Sequence, residues 1–318
     1  MFKFTHNAIN AMSKRSIIYF SIGVLFMFIV IVSFSYRKVM AIASPTEFKY
    51  DGKLPYKWSP PDVPQSMSFA GEKVPLEKQA IHEQMQRELL VNYYYHSSTL
   101  YILMQGGRYL PLIEERLKAN GVPDDFKYLC IAESGLQQVT SKANAVGFWQ
   151  FLKETGPKYG LVINDEVDER YNVAKSTDAA CKYFKEAYSR FGSWTAAAAS
   201  YNCGLTGFDN FSTFQQTKDY YQLQLPDETM RYIFRILAFK YILTGANKLG
   251  FIVVGDDLYK PYASKTMAVT KTIPDLAQFA IDNGTSYRTL KTLNPWLRNH
   301  SLTLKDGQSY EIQMPVNN

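Results

Sequence analysis

The sequence predicts a mainly α protein that closes on a small α+β module of βααβ order. Three observations carry this reading. Apolar residues recur at helical spacing through most of residues 76–250, and Gly121, Gly192 and Gly204 stand where those runs stop. From about residue 266 the pattern breaks into short strand-like and helix-like pieces. The 318 residues exceed the usual reach of one hydrophobic core, and 23 Tyr and 20 Phe supply ample packing surface, which excludes global disorder.

In chain order, residues 1–15 precede a 21-residue uncharged stretch, Ser16 to Tyr36, bracketed by Lys14-Arg15 and Arg37-Lys38. That length spans a bilayer as a helix. It exceeds the apolar region of a secretory signal peptide, so residues 16–36 read as an uncleaved transmembrane signal anchor; Ala41-Ile42-Ala43 resembles a cleavage site and keeps cleavage open. Charges flank both sides, so the positive-inside rule does not set the orientation. Residues 37–75 read as a Pro-rich linker, because Pro45, Pro55, Pro60, Pro61, Pro64 and Pro75 favour an extended tether.

The helical domain is placed at 76–250. Leu76 to Leu103 is one long apolar-patterned segment, Arg108 to Asn120 ends at Gly121, and Thr177 to Arg190 ends near Gly192. Ser193 is a good N-cap for the small-residue run through Ser200, which Gly204 can terminate. Met230, Ile233, Phe234, Leu237, Ala238 and Tyr241 form a core stripe on the last long helix. A linker, 251–265, leads to the module at 266–318: a strand at Met267–Thr270, helices at Ile273–Asn283 and Tyr287–Leu293, and a strand at Gln308–Pro315.

Composition narrows the function classes. The net charge of +6 comes from scattered residues, so a nucleic-acid partner is a poor fit, while an anionic surface or polymer suits it. Cys130, Cys181 and Cys203 form no even framework and read as buried free thiols. None of the four histidines, His6, His82, His96 and His300, falls beside a candidate nucleophile, and no Cys/His spacing suits a metal, so neither cofactor nor metal is expected.

Glu133 is the leading candidate for chemistry. Phe126 to Ala132 carries one charge in seven residues, and Phe126, Leu129, Cys130 and Glu133 share a helical face at i, i+3, i+4, i+7. Desolvation on such a face disfavours the charged carboxylate and raises its pKa, leaving a proton to donate near neutral pH. Gly135 then ends the helix and opens the site. The segment alone weighs equally for a Glu133 that frays into solvent.

An ordered set of motifs breaks the tie. Glu133-Ser134-Gly135 is followed by Ser141, Ala145 to Phe151, Thr155-Gly156, Tyr159-Gly160-Leu161, Asp168-Glu169-Arg170, Ala179-Ala180, Trp194 to Asn202 with Gly204, and Leu225 to Thr229 with Tyr232. Over roughly half the chain this order resembles the soluble lytic transglycosylase domain of glycoside hydrolase family 23, and within it the membrane-bound lytic transglycosylase D group. Two departures are visible. Asn144 stands where the family has Gly, and Asn tolerates positive φ; Leu152-Lys153 replaces Met-Pro.

The resemblance implies a lysozyme-like helical domain that cuts the β-1,4 bond between N-acetylmuramic acid and N-acetylglucosamine in peptidoglycan. It also accounts for the missing second carboxylate: Glu133 acts as both acid and base, and the product is a 1,6-anhydromuramic end. Ser134, Ser141, Gln150, Tyr201 and Asn202 are implied substrate contacts. For Ser134 a bond to a backbone carbonyl, and for Gln150 an amide-to-backbone role, stay open beside it. The Tyr201 phenol is placed to reach Glu133 or an acetamido group. Trp149 and Trp194 read as core. Asp168-Glu169-Arg170 reads as an ion-paired capping turn; with Asp165 or Asp168 as a base the same fold would be a hydrolytic muramidase. A non-catalytic glycan clamp and an envelope scaffold are the remaining classes.

The C-terminal module resembles a degenerate LysM module through Gly284-Thr285-Ser286, Leu290 to Asn294 and Asp306-Gly307-Gln308, with Thr272-Ile273-Pro274-Asp275-Leu276 in place of the usual Gly-Asp-Thr-Leu. Glycan binding, a lid role and docking of envelope proteins through 266–318 are all open for it. Together these resemblances imply peptidoglycan strands as partner and a periplasmic location, anchored in the inner membrane of a Gram-negative bacterium.

Overall fold

A computed structural model describes Tyr19, Val24, Met27 and residues 59–316. The three isolated residues are helical and exposed. The expected cytoplasmic segment 1–15, the rest of the span at 16–36 and the linker up to residue 58 lie outside the described residues. Among the described residues no helix is long and apolar enough to cross a membrane.

The described residues from Pro60 onward form one compact unit. Two short strands, β1 (Ser68–Phe69) and β2 (Glu72–Lys73), pair as a hairpin ahead of the helices. Then come α1 (Gln79–Tyr94), α2 (His96–Ala119), α3 (Phe126–Ser134), α4 (Val173–Phe191), α5 (Trp194–Cys203), α6 (Leu205–Phe214) and α7 (Asp227–Thr244). The most buried layer is built from α3, α5 and α7, with α1 and α2 packed outside it and α4 against α2 and α5. In α5 the run Ala196–Ser200 is wholly buried; only small side chains permit so close an approach of neighbouring helices.

Three expectations need correction. Residues 68–74, expected within the Pro-rich linker 37–75, belong to the folded unit, because Phe69 and Val74 are buried in the core and Glu72 caps α5. The Glu72 carboxylate accepts from the backbone N–H of Trp194 at 2.6 Å and Thr195 at 2.9 Å, a negative charge at a helix N-terminus. The second correction concerns the first long helices: the break falls at Tyr95, and Gln105-Gly106-Gly107 lies inside α2 instead of interrupting it. Gly107 is there for close approach, since a Cβ would meet Leu258 Cβ at 2.9 Å and the Tyr259 carbonyl oxygen at 3.0 Å. Third, within the stretch 251–265, expected as a linker, residues 258–262 lie against α2, where Tyr259 N–H bonds the Met104 carbonyl at 2.9 Å.

The caps that the sequence signals are present. Ser193 accepts from Ala196 N–H at 3.2 Å at the start of α5, and Gly192 closes α4 with φ 76°. The free thiols Cys130 and Cys181 are buried, and Cys203 is half-buried.

The module has the expected order: β3 (Ser264–Val269), α8 (Leu276–Asp282), α9 (Tyr287–Leu293) and β4 (Tyr310–Pro315), with the strands antiparallel from Ser264↔Pro315 to Val269↔Tyr310. Buried Asn294 ties α9 to β4, donating to the carbonyls of Leu290 and Gln313 and accepting from Gln313 N–H at 2.8 Å. The module seats on residues 162–171. Val167 bridges Leu297, Arg298 N–H bonds the Glu166 carbonyl at 2.7 Å, and the Glu166 carboxylate accepts from Thr303 N–H at 2.7 Å and from the Ser301 and Thr303 hydroxyls. These donors, Ser301 first, hold the Glu166 carboxyl below the usual carboxylate range. Its contribution is therefore present above the ordinary carboxylate pKa and is lost as pH falls through the lowered value. Glu166→Ala is expected to weaken this docking by about 1 kcal/mol, seen as about fivefold faster amide exchange over residues 295–303. Unchanged exchange would assign the docking to the backbone bonds alone.

Candidate active site

Glu133 is the next-to-last residue of α3, whose other members at that face are buried: Phe126, Leu129 and Cys130. Phe126 is held between Phe69, at 5.2 Å between ring centroids, and Phe184, at 4.3 Å. Gly135 ends the helix in the left-handed region, φ 59°, and donates to the Ile131 carbonyl at 2.8 Å, as its type and place in the sequence predict. The carboxylate-bearing residue thus stands at a helix end, partly open to solvent, with its carboxyl turned toward α7.

The environment of that carboxyl is mostly uncharged. The Tyr232 hydroxyl, from α7, donates to Glu133 Oε1. Burial pushes the Glu133 carboxyl up to about 7, an effect larger than the opposing influence of the Tyr232 bond and of the Arg235 guanidinium. The phenols of Tyr201 and Tyr232 and the Cys130 thiol are themselves raised well above their ordinary values, first by burial and then by the nearby Glu133 charge. Behind Tyr232, Arg235 donates to Glu228 at 2.8 Å and lies near Glu88, a carboxylate 1% exposed that accepts from Arg231 Nε at 2.7 Å.

The loop after α3 carries the next group of sequence-predicted residues. Thr140 and Phe151 each bridge Val146, and Asn144 has φ 61°, the conformation its side chain was expected to tolerate. Gly147 has φ 81°, and a Cβ there would collide with the Arg170 carbonyl oxygen. Ser141 Oγ accepts from Ala145 N–H at 3.1 Å within this loop. Gln150, φ 51°, donates to the carbonyls of Gly147 at 2.7 Å and Val139 at 3.1 Å, the amide-to-backbone arrangement. Ser134 is buried and donates back to the Cys130 carbonyl at 3.2 Å. Tyr201, expected within reach of Glu133 or of substrate, spends its hydroxyl on the Trp149 carbonyl at 2.6 Å, and Asn202 Oδ1 accepts from the Thr229 hydroxyl at 2.8 Å. Trp149 is fully buried with its Nε1 on the Thr177 hydroxyl at 2.8 Å, while half-buried Trp194 stacks on Tyr188 at 4.1 Å.

Asp168, Glu169 and Arg170 are all buried, and each has its charge paired. Arg170 donates to both Asp168 oxygens, at 2.9 Å and 2.7 Å, and to the Phe151 carbonyl at 3.1 Å. Glu169 accepts from Val162 N–H at 2.8 Å and pairs with Lys175. Asp165 is exposed. Among the described residues no group of three or more His, Cys, Asp or Glu side chains could hold a metal ion.

Sequence reasoning missed the groups that face Glu133 from α7. The ordered motifs give Tyr232 only a place in the series, and they give no sign of Arg235 on α7 or of its neighbour Glu88 on α1. A signal existed: Glu228, Tyr232 and Arg235 follow one another at i, i+4, i+7 on a helix whose adjacent positions are apolar, a polar seam facing the core.

Residues 111–223 match the family described as transglycosylase SLT domain, and residues 265–318 match the soluble lytic transglycosylase C-terminal LysM-like domain. The chain carries a transglycosylase SLT domain and a LysM-like C-terminal domain. It is mainly α, with the lysozyme-like helical body and the βααβ module described above. It is 29% identical over 244 residues to membrane-bound lytic murein transglycosylase D of Escherichia coli strain K12, and equally to that of Escherichia coli O6:H1 strain CFT073. The match covers 74% of this chain and 52% of each relative, so the chain spans about half the length of these relatives. Glu133 and the loop to Phe151 fall inside the SLT match, whereas Tyr232 lies beyond its end at residue 223.

A carboxyl raised to about 7 in the fold binds its proton more tightly there than in the unfolded chain. Stability is therefore full below the ordinary carboxylate pKa and is lost as pH rises through 7. Glu133→Gln removes that loss. It is expected to exceed the unmodified protein by roughly 2–3 kcal/mol near pH 8 and to match it near pH 4, allowing for partial exposure of the residue. Urea unfolding at both pH values checks this; no gain near pH 8 would put the carboxyl in water.

Proposed function

We propose that this protein is a peptidoglycan lytic transglycosylase that uses Glu133 as its single acid and base. The observation that carries the reading is the Glu133 carboxyl, raised to about 7 by burial and hydrogen-bonded by Tyr232 at an open helix end. Protonated, it donates to the oxygen of the β-1,4 bond between N-acetylmuramic acid and N-acetylglucosamine, and the C1–O4 bond breaks. The carboxylate so formed accepts the proton of the muramic acid 6-hydroxyl as O6 closes on C1. The product is the 1,6-anhydro sugar, the acid is restored and no water is consumed. The names of the two relatives and the SLT match support the same chemistry.

The second carboxylate that a hydrolytic muramidase needs finds little support. Asp168 is buried, and both of its carboxylate oxygens are taken up by Arg170, which leaves neither turned toward a water. Ser134, Ser141, Gln150, Tyr201 and Asn202 act in this reading as the walls of the substrate cleft. Their side-chain bonds to the fold leave backbone groups and ring surfaces to meet the sugar. Residues 16–36 anchor the chain in the inner membrane of a Gram-negative bacterium with the folded unit in the periplasm, where peptidoglycan lies; the membrane-bound relatives support this. The module at 266–318 contributes contacts to the glycan strand or to envelope proteins.

Digestion of purified peptidoglycan followed by mass spectrometry tests the reaction. Muropeptides lighter by one water than hydrolysis products, absent with Glu133→Gln, are expected. Reducing ends would point to a muramidase, and binding without products to a glycan clamp. The acid must be protonated, so turnover is expected to fall as pH rises through about 7. Tyr232→Phe removes a bond that favours the charged form, so that limb is expected to move to higher pH with a lower maximal rate. A limb that stays in place would separate Tyr232 from the acid.

A further inference from the structure

Glu88 on α1 is a carboxylate 1% exposed with only one of its oxygens satisfied. Oε1 accepts from Arg231 Nε at 2.7 Å, whereas Oε2 is buried without a hydrogen-bond partner. The cation that faces this second oxygen is Arg235, whose Nε stands at 3.7 Å, too far for a hydrogen bond. Arg235 donates instead to Glu228 at 2.8 Å, a carboxylate more than half exposed. A partner in water holds a guanidinium weakly, so Glu228 alone does not fix where Arg235 points. The buried charge of Glu88 does, because attraction across that short gap is little screened where water is excluded.

Arg235 also acts on the acid. It stands three positions after Tyr232, whose hydroxyl donates to the Glu133 carboxyl, and its charge favours the ionised form of Glu133. The other charged or titratable groups that act on Glu133 are Glu228 on α7, Tyr201 on α5 and Cys130 on α3. Those that act on Glu88 are Arg231 and Arg235 on α7 and the Tyr220 phenol ahead of that helix. In the ion pairs of this cluster two carboxylates, Glu88 and Glu228, meet two guanidiniums, Arg231 and Arg235. The cluster is thus balanced without the Glu133 carboxyl.

We propose that Glu88 and Arg235 are positioning residues for the acid: Glu88 holds the Arg235 guanidinium toward α1, so that it forms no ion pair with the Glu133 carboxyl. That the Glu133 proton goes to a glycan oxygen rests on the lytic reading above; the clamp on Arg235 does not. Charge balance sets the sign of each substitution. Without Glu88 the cluster holds one cation in excess, which an ionised Glu133 balances, so the acid gives up its proton at lower pH. Without Arg235 it holds one anion in excess, and Glu133 keeps its proton to higher pH. Without both, balance returns.

The test takes two readouts on the full chain. One is the carbon-13 resonance of the Glu133 carboxyl followed against pH and assigned by its loss in Glu133→Gln; the other is peptidoglycan turnover against pH. Glu88→Gln is expected to move the titration down by about one pH unit and Arg235→Gln to move it up by about as much, with the double variant back near the unmodified protein. The alkaline limb of turnover should move in the same directions. Residues that merely brace the helices would, when replaced, loosen α3 and admit water to Glu133, lowering its titration in both variants. That result, or no shift in either, overturns the clamp. Should Glu88→Gln fail to fold, Arg235→Gln decides alone, because it leaves Glu88 with Arg231: an upward shift supports the clamp, and a downward shift or none overturns it. Titration shifts of opposite sign without anhydro products would remove the lytic reading and keep the clamp, whereas anhydro products with titrations that stay in place would do the reverse.

Discussion

One carboxyl kept largely out of water at the end of a nine-residue helix is the constraint on which the site depends. A helix that short does not hold itself together in water, so its end stays in place only through packing. Phe126, Leu129 and Cys130 supply that packing on one side, and the bond from Tyr232 joins α3 to α7 on the other. The position of α7 in turn is set by α1, where Glu88 receives Arg231 and lies near Arg235. A carboxylate buried this deeply is tolerated only with its cations present, and losing either side leaves an uncompensated charge. Acid strength at Glu133 is thus tied to an ion cluster two helices away.

The loop from Leu136 to Phe151 shows how the motif letters work. Leu136, Asn144 and Gln150 all have positive φ, an expensive conformation for residues with a Cβ, and such backbone persists only where its surroundings over-determine it. Here Val146 is bridged from both sides, the Gln150 amide clasps two carbonyls, and the Arg170 guanidinium takes the Phe151 carbonyl. Gln150 and Ser141 therefore shape the loop through their bonds to backbone, and any contact with a sugar comes in addition to that work.

What was legible in the sequence was local. The Gly135 and Gly192 stops, the Ser193 cap, the tolerance of Asn144 for positive φ and the order of the C-terminal module all follow from residues within a few positions of one another. What was not legible depends on partners far along the chain. The segments Leu76–Leu103 and Arg108–Asn120 read as separate until residues 258 and 259 are brought against Gly107, and residues 60–75 read as tether until Glu72 meets a helix more than a hundred positions away. The Tyr232 bond to Glu133 crosses 99 positions, and the phenol expected there, Tyr201, is drawn off by the Trp149 carbonyl, a group with no side-chain signature.

Residues 162–171 connect these themes, because one short segment serves both halves of the molecule. Its Glu166 carboxylate gathers the module through Ser301 and Thr303, while its Arg170, four residues on, braces the loop after Glu133 from behind Gly147. The backbone between them is fixed as well, with Asp168 N–H on the Trp296 carbonyl and Arg298 stacked 4.0 Å over Tyr171. A module held by side chains alone could turn independently of the loop. Held by a bridge and backbone bonds on the segment that also carries Arg170, it cannot shift without pulling on the support of Gly147, where no side chain fits. The position of the LysM-like module and the shape of the loop beside the acid are, in this fold, set by the same ten residues.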